Sequence, residues 1–266
     1  MTGGQAHPSP TNSLGHPRLH LRRTDSTNER ARALAIAAAP HGTLITAAEQ
    51  TAGRGRQGRT WLAPPGSALL CSLVLRDPPA LLSLIAGVAV CDAVGENARV
   101  KWPNDVVLER PDDHDQAGGV EAPPLAKLAG ILVEGRPLEG WAVLGIGLNV
   151  AVRVEQLPSE VRAGAASLQL ESSAIEPLLD RFLEMLELRL TQPAETVLDA
   201  WRACDALHGR EISWGAHGRD QPPGRERPVG HGRAEGIDGA GRLLVKLADG
   251  STTMLDAGEV HLGRSD

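Results

Sequence analysis

A run of glycines and arginines is the segment of this sequence best suited to binding an anion. From Gly53 to Arg59 the chain reads Gly-Arg-Gly-Arg-Gln-Gly-Arg. Glycine lets backbone N–H groups close on an anion, and arginines such as Arg54 and Arg56 donate planar, bidentate hydrogen bonds to carboxylates or phosphates. The run predicts a site for a multiply charged ligand. A flexible solvated loop and a fragment of an RNA-binding Gly-Arg tract are the alternatives.

Two lysine-containing segments and a glycine pair add to this candidate chemistry. Lys101–Asp105 combines a cation, an aromatic ring, a proline turn and two polar groups, although it also fits a plain turn with Trp102 in the core. Lys127 interrupts an apolar segment, where burial of its charge is costly unless an anion is near. A lysine that points to solvent is the alternative. Gly145–Asn149 ends an apolar run with two glycines, which allow close approach of a ligand or mark a bulge.

These segments lie at the ends of elements that alternate along an α+β domain. Short polar residues at Asp25–Asn28 can cap a first helix. Apolar periodicity predicts helices at 29–39, 79–97, 175–190 and 195–207, and strands at 43–49, 67–75, 99–102, 106–108, 125–134 and 141–150. The glycine-arginine run therefore connects two strands. The stretch 109–124 lacks a period and is interpreted as an exposed loop insertion.

The C-terminal part of the sequence has the pattern of a small β domain. Short strands are predicted at 211–214, 230–237, 243–247 and 252–255. Asp238-Gly239 and Asp249-Gly250 are hairpin signals between them. We therefore expect a disordered leader over residues 1–17, a larger α+β domain over 18–207 and a small barrel-like domain over 208–266.

Composition restricts the class of protein. The chain has 266 residues and a formal net charge of −6, which disfavours a general binder of nucleic acid or of anionic membranes. Its three cysteines are scattered and odd in number, as is typical of reduced thiols in the cytosol rather than of a disulfide framework. The sequence shows neither a membrane-spanning stretch nor a signal peptide, so we expect a cytoplasmic protein.

Taken together and in this order, the segments resemble one family, the biotin protein ligases, which are related to class II aminoacyl-tRNA synthetases and to lipoate ligases. The segments that carry the resemblance are Asp25–Asn28, Glu49–Arg59, Lys101–Asp105, Lys127–Glu134 and Gly145–Val150. The resemblance implies a synthetase-like catalytic domain, with a mixed but mostly antiparallel sheet and helices, and a small C-terminal SH3-like β-barrel.

The activity implied by the resemblance has two steps. Biotin is activated with ATP, with Mg²⁺ as activator, to biotinyl-5'-AMP, and the biotinyl group is then transferred to a lysine on the carrier domain of a biotin-dependent carboxylase. No tightly bound cofactor is expected. The residues before Leu19 are too few for the DNA-binding domain of the family's repressor members, so a monofunctional ligase without DNA binding is expected. It would be a monomer or a homodimer.

The resemblance also implies roles for individual residues. Biotin-binding positions are Ser26, Thr27, Asn28, Gln50, Arg54, Gly55, Arg56, Lys127, Gly130 and Ile131. Nucleotide-binding positions are Trp61, Lys101, Asn104, Asn149 and Arg153. Arg56, Lys101 and Lys127 are the expected catalytic residues, and no residue is expected to bind a resident metal.

Two alternatives remain at this point. One is a lipoate or octanoyl ligase on the same fold, because the shape of the pocket decides which acid is bound. The other is a non-enzymatic regulator that binds nucleic acid through its Gly-Arg run, which the acidic composition disfavours.

Overall fold

The computed structural model describes residues 14–95, 97–110, 124–136, 139–215, 228–256 and 260–262. Its strands are β1 Arg18–Leu21, β2 Leu44–Ala47, β3 Ala68–Arg76, β4 Ala98–Lys101, β5 Asp105–Glu109, β6 Leu125–Arg136, β7 Trp141–Asn149, β8 Glu211–Gly215, β9 Pro228–Ile237, β10 Leu243–Lys246, β11 Thr252–Leu255 and β12 Val260–Leu262. Its helices are α1 Thr27–Ile36, α2 Leu82–Val94, α3 Ser159–Arg162, α4 Ile175–Leu190 and α5 Ala194–Ala203.

Seven strands form the main sheet, in the order β1-β2-β3-β7-β6-β5-β4. The β1–β2 pair is parallel and the remaining pairs are antiparallel, which confirms the predicted mixed, mostly antiparallel sheet. β1 was not predicted. It is only four residues long, and its side chains are exposed or half-buried at the sheet edge, so the sequence carries little strand signal there.

The alternation of side chains along β7 separates the two faces of this sheet. Leu144, Ile146 and Leu148 point into the main core, which α2, α4 and α5 cover. Gly145 and Gly147 are on the opposite face. On that face α1 covers only one end, where Ala31 and Ala35 pack against Val143. The rest of this face of the sheet is not covered by α1 and can contribute to a binding site.

Helix α2 lies buried between the sheet and helices α4 and α5. It is apolar around its circumference, as predicted. It is shorter than the predicted 79–97 because Gly95, with φ of 113°, ends the helix, and its N–H bonds back to the carbonyl of Cys91.

The expected disorder of the first 17 residues is wrong for residues 14–17. Leu14 is buried in the main core, and the N–H of Gly15 donates to the carbonyl of Gly42 at 2.9 Å. The N–H of Leu44 donates to the carbonyl of Pro17 at 2.9 Å. A single apolar residue gave too little signal to predict this anchoring. Residues 1–13 lie outside the described residues.

The C-terminal strands form a second, antiparallel sheet, in the order β11-β10-β9-β8-β12. The two predicted hairpins connect β9 with β10 and β10 with β11. This sheet contacts the part of the chain that forms the main sheet through Trp102, whose indole N–H donates to the carbonyl of Gly241 at 3.0 Å. Trp102 is thus a core residue, as the sequence suggested. The predicted loop at 109–124 lies largely outside the described residues.

Within the described part of the chain, no helix combines the length and the apolar character needed to cross a membrane.

Candidate functional site

A cavity of about 610 Å³ opens on the face of the main sheet that α1 leaves uncovered. This volume suits a small-molecule ligand. It is bounded by the glycine-arginine loop, the start of α1, the β4–β5 hairpin, and strands β6 and β7. The predicted site residues that line it are Ser26, Thr27, Asn28, Gln50, Arg54, Gly55, Arg56, Trp61, Lys101, Asn104, Lys127, Gly130, Ile131 and Asn149.

One end of the cavity, here called the amide end, is formed by Ser26, Thr27, Asn28 and Gln50. The N–H of Thr27 donates to Gln50 Oε1 at 2.7 Å, and the Thr27 hydroxyl lies 3.1 Å from the same oxygen. Gln50 therefore caps α1 from a distant part of the chain. Ser26 occupies the N-cap position, but its side chain makes no cap hydrogen bond, so the capping expected from the short polar side chains of Asp25–Asn28 is wrong at this position.

Asn28 is held on both sides of its amide. Its Oδ1 lies 2.6 Å from the hydroxyl of the buried Ser72, and its Nδ2 donates to Glu134 Oε2 at 2.9 Å. Glycine at position 145 on β7 leaves room for this amide, because an added Cβ would lie 1.9 Å from Asn28 Oδ1. Sequence reasoning missed Ser72 and Glu134 as site residues. The available signal for Ser72 was a hydroxyl in an otherwise apolar strand.

The other end, here called the cationic end, brings Arg56, Lys101 and Lys127 around Asp105. Lys127 Nζ lies 2.7 Å from Asp105 Oδ1, an ion pair without the alignment of a hydrogen bond. Lys101 is the cross-strand neighbour of Asp105. Burial lowers the pKa of Lys101 and that of Arg56, and Asp105 partly opposes both shifts. One carboxylate neutralises only part of this charge, so the end suits an anion.

A β-bulge turns Lys127 towards the cavity. In the β5–β6 pairing, Val106 is opposite Ala129 and Val107 is opposite Lys127, so Leu128 is the extra residue. Without the bulge, Lys127 and Gly130 would point to opposite faces of the sheet, because side chains alternate along a strand. With it, both line the cavity while Leu128 stays buried. The solvent-facing alternative for Lys127 is thus wrong.

Asn104 connects the glycine-arginine loop with β6. Its Oδ1 accepts a hydrogen bond from Arg56 Nη1 at 3.0 Å, and its Nδ2 donates to the carbonyl of Ile131 at 2.8 Å. The N–H of Ile131 donates back to the carbonyl of Asn104 at 2.9 Å. The peptide bond between Trp102 and Pro103 is cis. Asn104 is therefore a structural connection as well as a cavity residue.

The indole of Trp61 lies against paired glycines of β6 and β7. An added Cβ would lie 2.5 Å from the ring at Gly147 and 3.0 Å from it at Gly130. Lys127 Nζ lies 5.8 Å from the centre of the ring. Within the described residues, the buried Trp61 Nε1 and Asn149 Oδ1 have no hydrogen-bond partner. Both residues line the cavity, so an unpaired donor and an unpaired acceptor lie in its wall.

Arg153 is the one predicted site residue that the structure does not bring to the cavity. The chain leaves β7 at Asn149 and turns, so that Val152 packs inward and Arg153 is exposed. The expected contact of Arg153 with the nucleotide is therefore not supported by this structure. Asn149 keeps its place, with Nδ2 donating to the carbonyl of Ala166 at 2.8 Å.

Comparison with known proteins identifies the family. Residues 20–150 match the family model described as Biotin/lipoate A/B protein ligase family, and residues 224–263 match that of the Biotin protein ligase C terminal domain. The chain is 35% identical to a biotin--[acetyl-CoA-carboxylase] ligase of Mycobacterium tuberculosis, over 90% of this chain and 86% of the relative. It is 34% identical to the Paracoccus denitrificans ligase of the same name, over 91% of this chain and 99% of the relative.

Among solved structures, the biotin protein ligase from Aquifex aeolicus in complex with biotin and ATP superposes with a TM-score of 0.70 at 24% identity. The match covers 94% of this chain and 100% of that chain, and it shows the shared fold. With two curated ligases similar over most of both chains, and with both family models matched in order, the chain belongs to the biotin protein ligase family.

Proposed function

We propose that this cavity activates biotin with ATP as biotinyl-5'-AMP and that the enzyme transfers the biotinyl group to a lysine on the carrier domain of a biotin-dependent carboxylase. The observation that carries the proposal is the division of one cavity into a neutral amide end and a cationic end on the same sheet face. The relatives named as biotin--[acetyl-CoA-carboxylase] ligases support the choice of acid and of carrier.

The amide end suits the ureido ring of biotin. That ring carries one carbonyl and two N–H groups, which the hydroxyls and amides of Ser26, Thr27, Asn28 and Gln50 can satisfy. Gly130 and Ile131 form the wall beside the rings. The dithiolane ring of lipoate has no such groups, so it would leave the remaining donor and acceptor capacity of these side chains unused. The geometry therefore favours biotin over the lipoate alternative.

The cationic end suits the activation step. A carboxylate oxygen of biotin attacks the α-phosphorus of ATP, and the bond to pyrophosphate breaks. The two anions must be held together while charge grows on the phosphoryl oxygens. We assign Lys127 to the biotin carboxylate and acyl phosphate, Lys101 to the α-phosphate, and Arg56 to both from the loop.

The nucleotide extends along the surface formed by Trp61, Asn104 and Asn149. The indole offers a flat face for adenine, and Trp61 Nε1 and Asn149 Oδ1 are two of the buried polar atoms that lack a partner among the described residues. A ligand that meets them removes the cost of leaving polar atoms unsatisfied.

In the transfer step, the neutral ε-amine of the carrier lysine attacks the acyl carbon, and AMP leaves with the bonding electrons. The nitrogen loses a proton to the departing phosphate or to a nearby carboxylate, and an amide forms. The intermediate is a mixed anhydride that water would destroy. A loop that stays ordered over it excludes water and limits hydrolysis. Arg54 and Gly55 lie in that loop, beside the amide end.

Mg²⁺ enters this proposal as the companion of ATP. In the part of the chain that the structure describes, no three His, Cys, Asp or Glu side chains come together as a metal site. These side chains do not provide a resident site, and no step is assigned to the ion here. The proposal places the enzyme in the cytoplasm, as a monomer or homodimer.

One assay tests the function. The protein is incubated with ATP, Mg²⁺, biotin and an apo carboxyl-carrier domain, and the carrier is weighed by mass spectrometry. We expect addition of one biotinyl group at a single lysine. Parallel reactions replace biotin with lipoate or replace the carrier lysine with arginine, and neither should give a product. Modification by lipoate alone would favour the alternative enzyme, and salt-sensitive nucleic-acid binding without either product would favour the regulator.

A further inference from the structure

The glycine-arginine loop is closed at its base by backbone hydrogen bonds. The loop at residues 53–61, here called the closing loop, is joined at its base by hydrogen bonds from the N–H of Gly55 to the carbonyl of Arg59 at 2.7 Å and from that of Trp61 to Gly53 at 2.9 Å. An added Cβ at Gly53 would lie 2.5 Å from the carbonyl oxygen of Trp61. The two arms of the loop therefore move together.

Arg54 connects the closing loop with two other elements. Its Nη1 donates to Glu29 Oε2 on α1 at 2.9 Å, and its Nη2 lies 3.9 Å from Glu134 Oε1 on β6. The family resemblance implied that Arg54 would be a biotin-binding residue. In the structure it is engaged by carboxylates of the protein, which identifies it as an anchor of the loop.

Glu134 links this anchor with the amide end. While Oε1 faces Arg54, Oε2 accepts the hydrogen bond from Asn28 Nδ2 at 2.9 Å. Asn28 is fixed on its other side by Ser72 at 2.6 Å. A ligand that contacts the Asn28 amide therefore acts on a carboxylate whose second oxygen faces the closing loop. One side chain connects the pocket and the loop.

We propose that Glu134 is a positioning residue that couples occupancy of the amide end to closure of the loop, with Glu29 as the second anchor. This inference rests on the proposed function, because it assigns biotin to the amide end. The side chains of Arg54, Glu29 and Glu134 are 47%, 42% and 29% exposed. Ion pairs at such exposure are weak and screened by salt, so they can open and re-form during a catalytic cycle.

The first experiment compares Glu134→Gln and Glu29→Gln in the full chain. Glu134→Gln keeps the size of the side chain but removes its negative charge. That charge faces Arg54 and also strengthens the hydrogen bond that Asn28 donates. We expect release of biotinyl-adenylate to accelerate about 10-fold and the KM for biotin to rise with it, more than kcat falls. Glu29→Gln removes only the anchor on the loop side, and we expect release to accelerate about threefold with little change in KM.

The matched control is Glu195→Gln, which removes an ion pair of the same kind on α5, where Glu195 pairs with Arg202 at 3.0 Å. It should leave release and KM as in the wild type. Thermal unfolding of all variants checks that they are folded. Unchanged release and KM for biotin in a folded Glu134→Gln variant would overturn the proposal, even if that variant were less stable.

A salt titration separates the coupling from a merely structural role. Because the anchors are ion pairs at exposed side chains, raising NaCl should accelerate adenylate release from the wild type. The Glu29→Gln/Glu134→Gln double variant should release it quickly at every salt concentration. An equal salt response in both proteins would contradict the ion-pair anchor. If the wild type formed no adenylate at all, the proposed function would fail instead, so the two failures are distinguishable.

Discussion

The two ends of the cavity differ in how fully their polar groups are satisfied by the protein itself. At the amide end, Asn28 is bonded on both sides, and Thr27 meets Gln50 through both its N–H and its hydroxyl. At the cationic end, Arg56, Lys101 and Lys127 share Asp105, and burial lowers the pKa of Lys101. The protein itself pairs the polar groups of the amide end. At the cationic end, the positive charge is only partly neutralised until an anionic ligand binds.

This difference suggests how work is divided in the reaction. A preorganised neutral pocket selects its ligand by matching donors and acceptors, and it contributes to binding in the ground state and the transition state alike. Excess positive charge next to a reacting phosphate acts most strongly when negative charge grows. We therefore expect changes at the cationic end to reduce the rate of activation, and changes at the amide end to raise the KM for biotin.

The largest effect is expected for Lys127→Ala. Removal of a charged donor from the reacting centre should reduce the rate of biotin-dependent ATP–pyrophosphate exchange about 100- to 1,000-fold, with a smaller change in KM for biotin. Lys246→Ala in the C-terminal sheet, where the lysine is exposed beside Glu235, is the control and should exchange at the wild-type rate. A KM effect without a kcat effect at Lys127 would reverse the assignment of the two ends.

At the amide end, Gly145→Ala is the sharpest change. A new Cβ 1.9 Å from Asn28 Oδ1 must displace an amide that is held by Ser72 and Glu134. We expect the KM for biotin to rise about 10- to 100-fold while kcat at saturation falls less, in the same exchange assay. Gly239→Ala, where nothing lies within 4 Å of an added Cβ, is the matched control. Wild-type KM in Gly145→Ala would show that Asn28 does not contact biotin.

Arg56→Ala tests the loop above the cationic end. The change removes the donor to Asn104 and one of the charges expected to face the adenylate. We expect adenylate to leave the enzyme about 10-fold faster, measured as free biotinyl-adenylate after a single turnover in the absence of carrier. Retention equal to that of the wild type would mean that this arginine does not hold the intermediate.

Much of this fold could be predicted from sequence periodicity, because β3, β6 and β7 are long apolar runs and α2 is apolar on all sides. β1 and β12 could not, since short edge strands with few buried residues leave little pattern. The same limit applies to Leu14, which is one apolar residue in a polar segment.

The site shows a similar division. Residues within family-like segments reach the cavity, but Ser72, which fixes Asn28, lies outside those segments. Ser72 reaches Asn28 because β3 pairs with β7 opposite Gly145, a register that local sequence does not specify. Arg153 fails for the opposite reason, because a turn after β7 decides its direction. The bulge at Leu128 that aims Lys127 also depends on strand pairing.

The smallest expected effect concerns pH and separates the two ends once more. Because burial lowers the pKa of Lys101, this side chain loses its proton at a lower pH than an exposed lysine would. The kcat/KM for ATP, which reports the free enzyme, should therefore fall on the alkaline side as Lys101 becomes neutral.

Lys101→Arg keeps the charge and should move this alkaline decline to higher pH, even if the rate at neutral pH is lower. Gly145→Ala, which changes only the amide end, should leave the decline where it is in the wild type. A shift of the alkaline limb in Gly145→Ala, or its persistence unchanged in Lys101→Arg, would show that the two ends do not act independently.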